Sequence, residues 1–139
     1  MKKINLSNKD VRNYTLEIIR QMNVDNYVPE YVLGFARGGL VPANFISQWY
    51  TIPIYCLNKD EEYDLDFLQH KKVLVIDDIN DTGNTMYDFD SKYRNFLDFK
   101  YAALIENTVS MFHTDYAGHN INKNEYPDWI VFPWEIWWQ

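Results

Sequence analysis

Between Val73 and Thr85 the chain reads Val-Leu-Val-Ile-Asp-Asp-Ile-Asn-Asp-Thr-Gly-Asn-Thr, and few folds accommodate such a stretch. The aliphatic run Val73 to Ile76 is of the kind buried on both faces of a parallel sheet, and it ends abruptly in two adjacent carboxylates, Asp77 and Asp78. The turn that follows, rich in Asp, Thr and Gly, opens a helix near Thr82 to Thr85 that carries Met86, Phe89, Tyr93, Phe96 and Leu97 on its buried side. Backbone N–H groups of Thr82, Gly83, Asn84 and Thr85, with the hydroxyls of Thr82 and Thr85, form a cradle for a phosphate at the positive end of that helix. Asp77 and Asp78 beside it cannot bind the phosphate themselves. Their natural partners are sugar hydroxyls or a hard divalent cation, so the pattern asks for a phosphorylated sugar.

The remaining segments alternate in a way that fits this strand. Ser7 with Asp10 forms a capping box, and Val11, Tyr14, Ile18, Ile19 and Met22 then share one face of a first helix. Tyr31 to Phe35 is a short strand closed by Ala36, Arg37, Gly38 and Gly39, and Pro42 suits the first turn of a helix reaching about Trp49. Ile52 to Leu57 reads as a second buried strand, Asn58 to His70 as a polar candidate mobile loop, and Tyr101 to Ile105 as a further strand. The fold class expected is α/β, a central, mostly parallel sheet flanked by helices, with ligands beyond the carboxyl ends of the strands.

At 139 residues the chain forms one domain spanning 1–139. A net charge of −7 disfavours nonspecific nucleic-acid binding, which needs a basic face. No apolar run is long enough to span a bilayer and the start lacks a signal-peptide core, so a cytoplasmic protein is expected. The single cysteine, Cys56, is expected to be a small buried residue, and His70, His113 and His119 show no metal-ligand spacing.

Two other motifs overlap the acidic stretch. Asp77 to Asp81 matches the DDxxD pattern of isoprenoid synthases, but that pattern lies on a helix of a large all-helical protein, and here a strand precedes it. Asp78, Asn80, Thr82 and Gly83 imitate the start of a calcium-binding EF-hand loop, but Phe89 falls where a bidentate Glu is required. A capped strand-to-helix turn without ligand is the plainest alternative. The stretch as a whole resembles the phosphoribosyl-pyrophosphate signature of the type I phosphoribosyltransferases. That resemblance implies ribose hydroxyls at Asp77 and Asp78, the 5-phosphate at Asp81 to Thr85, and Asp81 as an acid near N7 of a purine, acting as general base or accepting a hydrogen bond.

Two further segments occur in the same order as in that family. Gly34-Phe-Ala-Arg-Gly-Gly-Leu-Val-Pro42 resembles the pyrophosphate loop of its xanthine-guanine and hypoxanthine branch, with Arg37 as a cationic fork and Gly38 and Gly39 allowing amides to approach an anion. Family members often have a cis peptide just before this Arg. Trp129-Ile-Val-Phe-Pro-Trp-Glu135 resembles the purine-site strand, which implies that Trp129 covers the base and the backbone of Ile130 meets its edge, within a small C-terminal hood of about 107–139. The family's purine-reading Lys is absent from its usual place, where Asn107 stands. The amide there leaves guanine, hypoxanthine, xanthine and adenine formally open.

The resemblance implies an enzyme that uses Mg²⁺, held by Asp77 and Asp78 partly through substrate, to join phosphoribosyl pyrophosphate to a purine base. A homodimer or larger homo-oligomer is expected, with Trp137 and Trp138 as an interface or core anchor. Lys59 in the 58–70 loop is read as a solvated cation. The alternative is a non-catalytic sensor of the sugar diphosphate or a nucleotide on the same fold.

Overall fold

The computed structural model describes residues 2–94 and 98–139. Its elements are β1 (Lys3–Asn5), α1 (Asn8–Val24), β2 (Tyr31–Phe35), α2 (Leu40–Tyr50), β3 (Ile54–Leu57), β4 (Val73–Asn80), α3 (Asn84–Tyr93), β5 (Phe99–Asn107), β6 (Tyr116–Ile121) and β7 (Trp129–Val131). Five strands form a parallel sheet in the order β3-β2-β4-β5-β6, and β1 pairs with β7 in a separate two-stranded parallel sheet. The two-residue period of the strands divides the core. Val32, Leu74, Ile76, Ala102 and Leu104 face α1 and α2, while Leu33, Val73, Val75, Tyr101 and Ala103 face α3 and the segment before β4. Among the described residues no helix is long and apolar enough to cross a membrane.

The capping box at α1 is formed in both directions: Asp10 N donates to Ser7 Oγ and Ser7 N to Asp10 Oδ2. Val11, Ile18, Ile19 and Met22 are buried, with Tyr14 partly buried and stacked on His119. Several expectations need correction. β3 begins at Ile54 and is an edge strand with one neighbour, so Ile54, Tyr55 and Cys56 are exposed and only Leu57 is buried. Cys56 is therefore not a core residue. The polar 58–70 loop is anchored by buried Leu65 and Leu68, by a short 3₁₀ turn over Asp66–Leu68, and by Tyr63 N donating to Tyr93 Oη. Trp137 and Trp138 are 78% and 65% exposed, which removes the core-anchor reading within one chain. Phe96 and Leu97, expected on the buried side of α3, lie outside the described residues.

β1 and β6 have no counterpart in the periodicity of the sequence. β6 carries Gly118, His119 and Asn120 and lies at the sheet edge beneath α1, so it lacks the apolar run of a central strand. The 107–139 segment thus divides: Tyr116–Ile121 extends the main sheet, and only Trp129–Val131 joins the second sheet, opposite the N-terminal strand.

Candidate active site

β2, β4, β5 and β6 all present their carboxyl ends on the same edge of the sheet, where parallel sheets bind ligands. β4 does not stop at Ile76. It continues through the acidic pair, with Asp77 opposite Ala103 and Asn80 opposite Glu106. Asp77 Oδ1 accepts from Asp78 N at 2.8 Å and Asp78 Oδ1 from Ile79 N at 2.7 Å, so each carboxylate is fixed by the next amide. Burial, and then the charge of Asp78, hold the Asp77 carboxyl well above the usual carboxylate range. Burial also raises Asp78, with Glu135 adding to it, against the lowering effect of hydrogen bonds from Asp77 and Ile79.

The Arg37 turn is pressed directly onto this pair. A Cβ at Gly38 would lie 2.6 Å from Cγ of Asp78, and one at Gly39 would lie 2.6 Å from the carbonyl oxygen of Phe35 and 2.9 Å from that of Ile76. Only glycine fits at either position, so two segments 40 residues apart in sequence (Gly38 and Asp78) are locked into one surface. The Ala36–Arg37 peptide is cis. Arg37 is exposed and makes no ion pair among the described residues.

Past Asn80 the chain turns through Asp81 and Thr82 to Gly83, whose φ of 90° is left-handed and which caps α3 without a side chain. Asn84 N donates to Thr82 Oγ1 at 3.2 Å, and the N-terminal amides of α3 face the same edge as the acidic pair. The wall behind this turn is set by a buried polar network that the sequence did not signal. Asn80 Nδ2 donates to Glu106 Oε1 and to the Phe112 carbonyl, both at 2.6 Å, and Glu106 also accepts from Thr114 N. Met111 N then donates to Thr82 O at 2.9 Å, seating the 108–114 segment against Gly83.

At the other end, Trp129 is 52% exposed and lies on β7 beside Ile130. Asn107 does not face this opening freely. It is 6% exposed, its Nδ2 donates to Asp81 O at 3.0 Å, and its Oδ1 accepts from Lys123 N at 3.2 Å. Its amide is committed within the protein, because the end of β5 is buried between β4 and β6. Lys123, which no sequence motif singled out, places Nζ 2.8 Å from Asp81 Oδ2.

Arg37, Gly38, Asp78, Asp81, Lys123, Trp129 and Ile130 line two hollows with shared walls, whereas Asp77, Gly39, Thr82, Gly83, Asn84 and Asn107 line neither, and Thr85 lines another hollow, of about 220 Å³, beside Lys59 and Phe89. Of the two with shared walls, one, of about 420 Å³, is bounded by Ala36, Arg37, Gly38, Asn58, Asp78, Trp134 and Glu135. The other, of about 150 Å³, is bounded by Asp78, Ile79, Asp81, Lys123, Trp129, Ile130, Phe132 and Glu135. Asp78 and Glu135 belong to both. A separate, more apolar hollow of about 440 Å³ between α1, β6 and the second sheet shares only Ile130 with them. Among the described residues no group of three or more His, Cys, Asp or Glu could hold a metal ion. A pair of carboxylates nonetheless suits Mg²⁺, which keeps several waters and is usually held by one or two carboxylates together with substrate phosphates.

One edge of a parallel α/β sheet thus carries an acidic strand end, a glycine turn that opens a helix and a glycine-arginine turn, at the edge where such sheets bind ligands. The chain belongs to the phosphoribosyltransferase family: the family described as phosphoribosyl transferase domain matches residues 1–139. Among solved structures it is similar to a purine phosphoribosyltransferase from Pyrococcus horikoshii, with TM-score 0.80, 25% identity, and coverage of 97% of this chain and 95% of that one. It has the fold of the xanthine-guanine-hypoxanthine phosphoribosyltransferase of Helicobacter pylori, with TM-score 0.81, 23% identity, and coverage of 96% and 94%. A hypothetical protein from Neisseria gonorrhoeae with bound ppGpp also shares the fold, with TM-score 0.80, 20% identity, and coverage of 96% and 89%. No curated protein matches the chain.

Proposed function

We infer that this phosphoribosyltransferase transfers the 5-phosphoribosyl group from phosphoribosyl pyrophosphate to a purine base, with guanine, xanthine or hypoxanthine as the acceptor. The observation that supports this reading is the pair of hollows joined at Asp78: a cationic, glycine-walled end at Arg37 and an indole-walled end at Trp129, with the Asp78 carboxylate on the wall they share. In this assignment Thr82, Gly83, Asn84 and Thr85 hold the 5-phosphate. Asp77 and Asp78 take the ribose hydroxyls, Arg37 with Gly38 and Gly39 takes pyrophosphate, and Trp129 with Ile130 takes the base. Asp77 and Asp78 would also hold Mg²⁺, partly through substrate oxygens, and its charge would neutralise the departing pyrophosphate.

The reaction balances simply. N9 of the purine forms a bond to C1 of the ribose as the bond from C1 to the pyrophosphate oxygen breaks. Pyrophosphate leaves with the electron pair, and the N7 proton passes to Asp81. The protein's part is alignment of the two substrates and electrostatic stabilisation, with Asp81 placed to accept the proton. Incubating the enzyme with labelled phosphoribosyl pyrophosphate, Mg²⁺ and each of four purines tests the reading. Formation of labelled mononucleotide is expected, and its absence with every purine would overturn it.

Arg37→Ala is expected to raise the KM for phosphoribosyl pyrophosphate and lower kcat, with a combined loss in kcat/KM of about 10- to 100-fold for a lost charge-assisted contact. Mononucleotide binding, measured by calorimetry, should change far less, and an equal loss for both ligands would contradict the pyrophosphate assignment. The exposed indoles of Trp49, Trp137 and Trp138, together with the Ile54, Tyr55 and Phe67 surface at the β3 edge, form apolar surface of the kind that associates. A homodimer or larger assembly is therefore proposed. Sedimentation at micromolar concentration should give at least twice 16.7 kDa, and a monomer mass would exclude it.

A further inference from the structure

We propose that Lys123, in the connection between β6 and β7, is the residue that reads the C6 substituent of the base and selects 6-oxopurines over 6-aminopurines. This proposal rests on the placement of the base against Trp129 described above. Lys123 is the one cationic side chain among the residues that line the hollow containing Asp81, Trp129 and Ile130. Its side chain is 23% exposed, and its Nζ stands 2.8 Å from Asp81 Oδ2.

This placement is built. Asn107 holds both members of the pair by their backbones: its Oδ1 accepts from Lys123 N at 3.2 Å while its Nδ2 donates to Asp81 O at 3.0 Å and approaches Oδ1 at 3.4 Å. One buried amide therefore fixes the distance between a donor and an acceptor that come from segments 42 residues apart. Asn107 positions the pair and does not touch the base.

The pair presents an ammonium next to a carboxylate. A 6-oxopurine carries its carbonyl oxygen beside N7 on one edge. In the N7–H form that edge offers an acceptor next to a donor, which is the complement of Lys123 next to Asp81. The ammonium has three N–H donors and spends one on Asp81, leaving others for the oxygen. A 6-aminopurine would set N–H donors against the ammonium hydrogens that Asp81 leaves free, so neither would find an acceptor in the other, and mismatches of this kind discriminate.

The test compares wild type, Lys123→Ala and Lys123→Gln with hypoxanthine, guanine and adenine as acceptors, and measures phosphoribosyl pyrophosphate affinity separately. Wild type is expected to favour the two 6-oxopurines. Both variants should lose about 10- to 100-fold in kcat/KM with them, as for a lost hydrogen bond to a charged group, while binding the sugar diphosphate almost normally. That normal binding shows the variants are folded. The ratio of 6-oxo to adenine activity should fall in both. A wild type that uses adenine as well as hypoxanthine, or variants whose ratio is unchanged, would overturn the role of Lys123 while leaving the transferase reading intact. A wild type that uses no purine would overturn both.

Discussion

Asp81→Asn is expected to lower turnover by about 10²- to 10⁴-fold, the usual worth of a general base, with phosphoribosyl pyrophosphate affinity nearly unchanged. The substitution keeps the size of the side chain and leaves untouched the main-chain oxygen that accepts from Asn107, while the ion pair with Lys123 Nζ becomes a neutral-acceptor hydrogen bond. What is removed is the charge proposed to take the purine proton. An interaction stronger in the transition state than in the ground state lowers kcat and kcat/KM together, and steady-state kinetics with a direct binding measurement will show that pattern. Unchanged turnover would remove Asp81 from the chemistry.

Asp77→Asn should move activity and stability in opposite directions. The folded Asp77 carboxyl is raised well above its ordinary range by burial first and by Asp78 second. A carboxyl whose folded pKa exceeds its unfolded value contributes most below the unfolded pKa, and that contribution is lost as pH rises through the folded value. At neutral pH the unliganded protein therefore carries a penalty that Asn does not, while the Asn oxygen can still accept from Asp78 N as Oδ1 does at 2.8 Å. A higher Tm without ligand is expected at neutral pH, with the gain shrinking in acid. Activity should fall by roughly a hundredfold or more, because the ligand proposed for ribose and Mg²⁺ is weakened. A lower Tm at neutral pH would show that the pair is not held under repulsion.

Local chemistry was legible in the sequence where one turn contains it. The run Val73 to Thr85 carries strand, acids and phosphate turn in consecutive residues, and Gly38 and Gly39 signal a close approach whatever they approach. What approaches Gly38 is Asp78, and no local pattern could name it. Lys123 was invisible for the same reason: it sits in a polar turn with no periodicity, and its meaning comes from a carboxylate on another strand. Asn107 was seen at the end of its strand, but sequence cannot tell that its amide is engaged by Asp81 and Lys123. The edge strands were missed or misread, since β3 and β6 have a single neighbour each and so need no continuous apolar run.

The second sheet sets an order on the assembly of the molecule. Its strands, Lys3–Asn5 and Trp129–Val131, come from opposite ends of the chain, and Trp129 N is held by the carbonyl of Lys2 at 2.8 Å. The turns at Arg37 and Gly83 are framed by β2, β4, β5 and the 108–114 segment, whereas the wall that carries Trp129 forms only when Lys3–Asn5 pairs with Trp129–Val131. Closing so long a loop costs entropy that local contacts do not repay in advance. The Arg37 and Gly83 turns can therefore be in place before the Trp129 wall is closed.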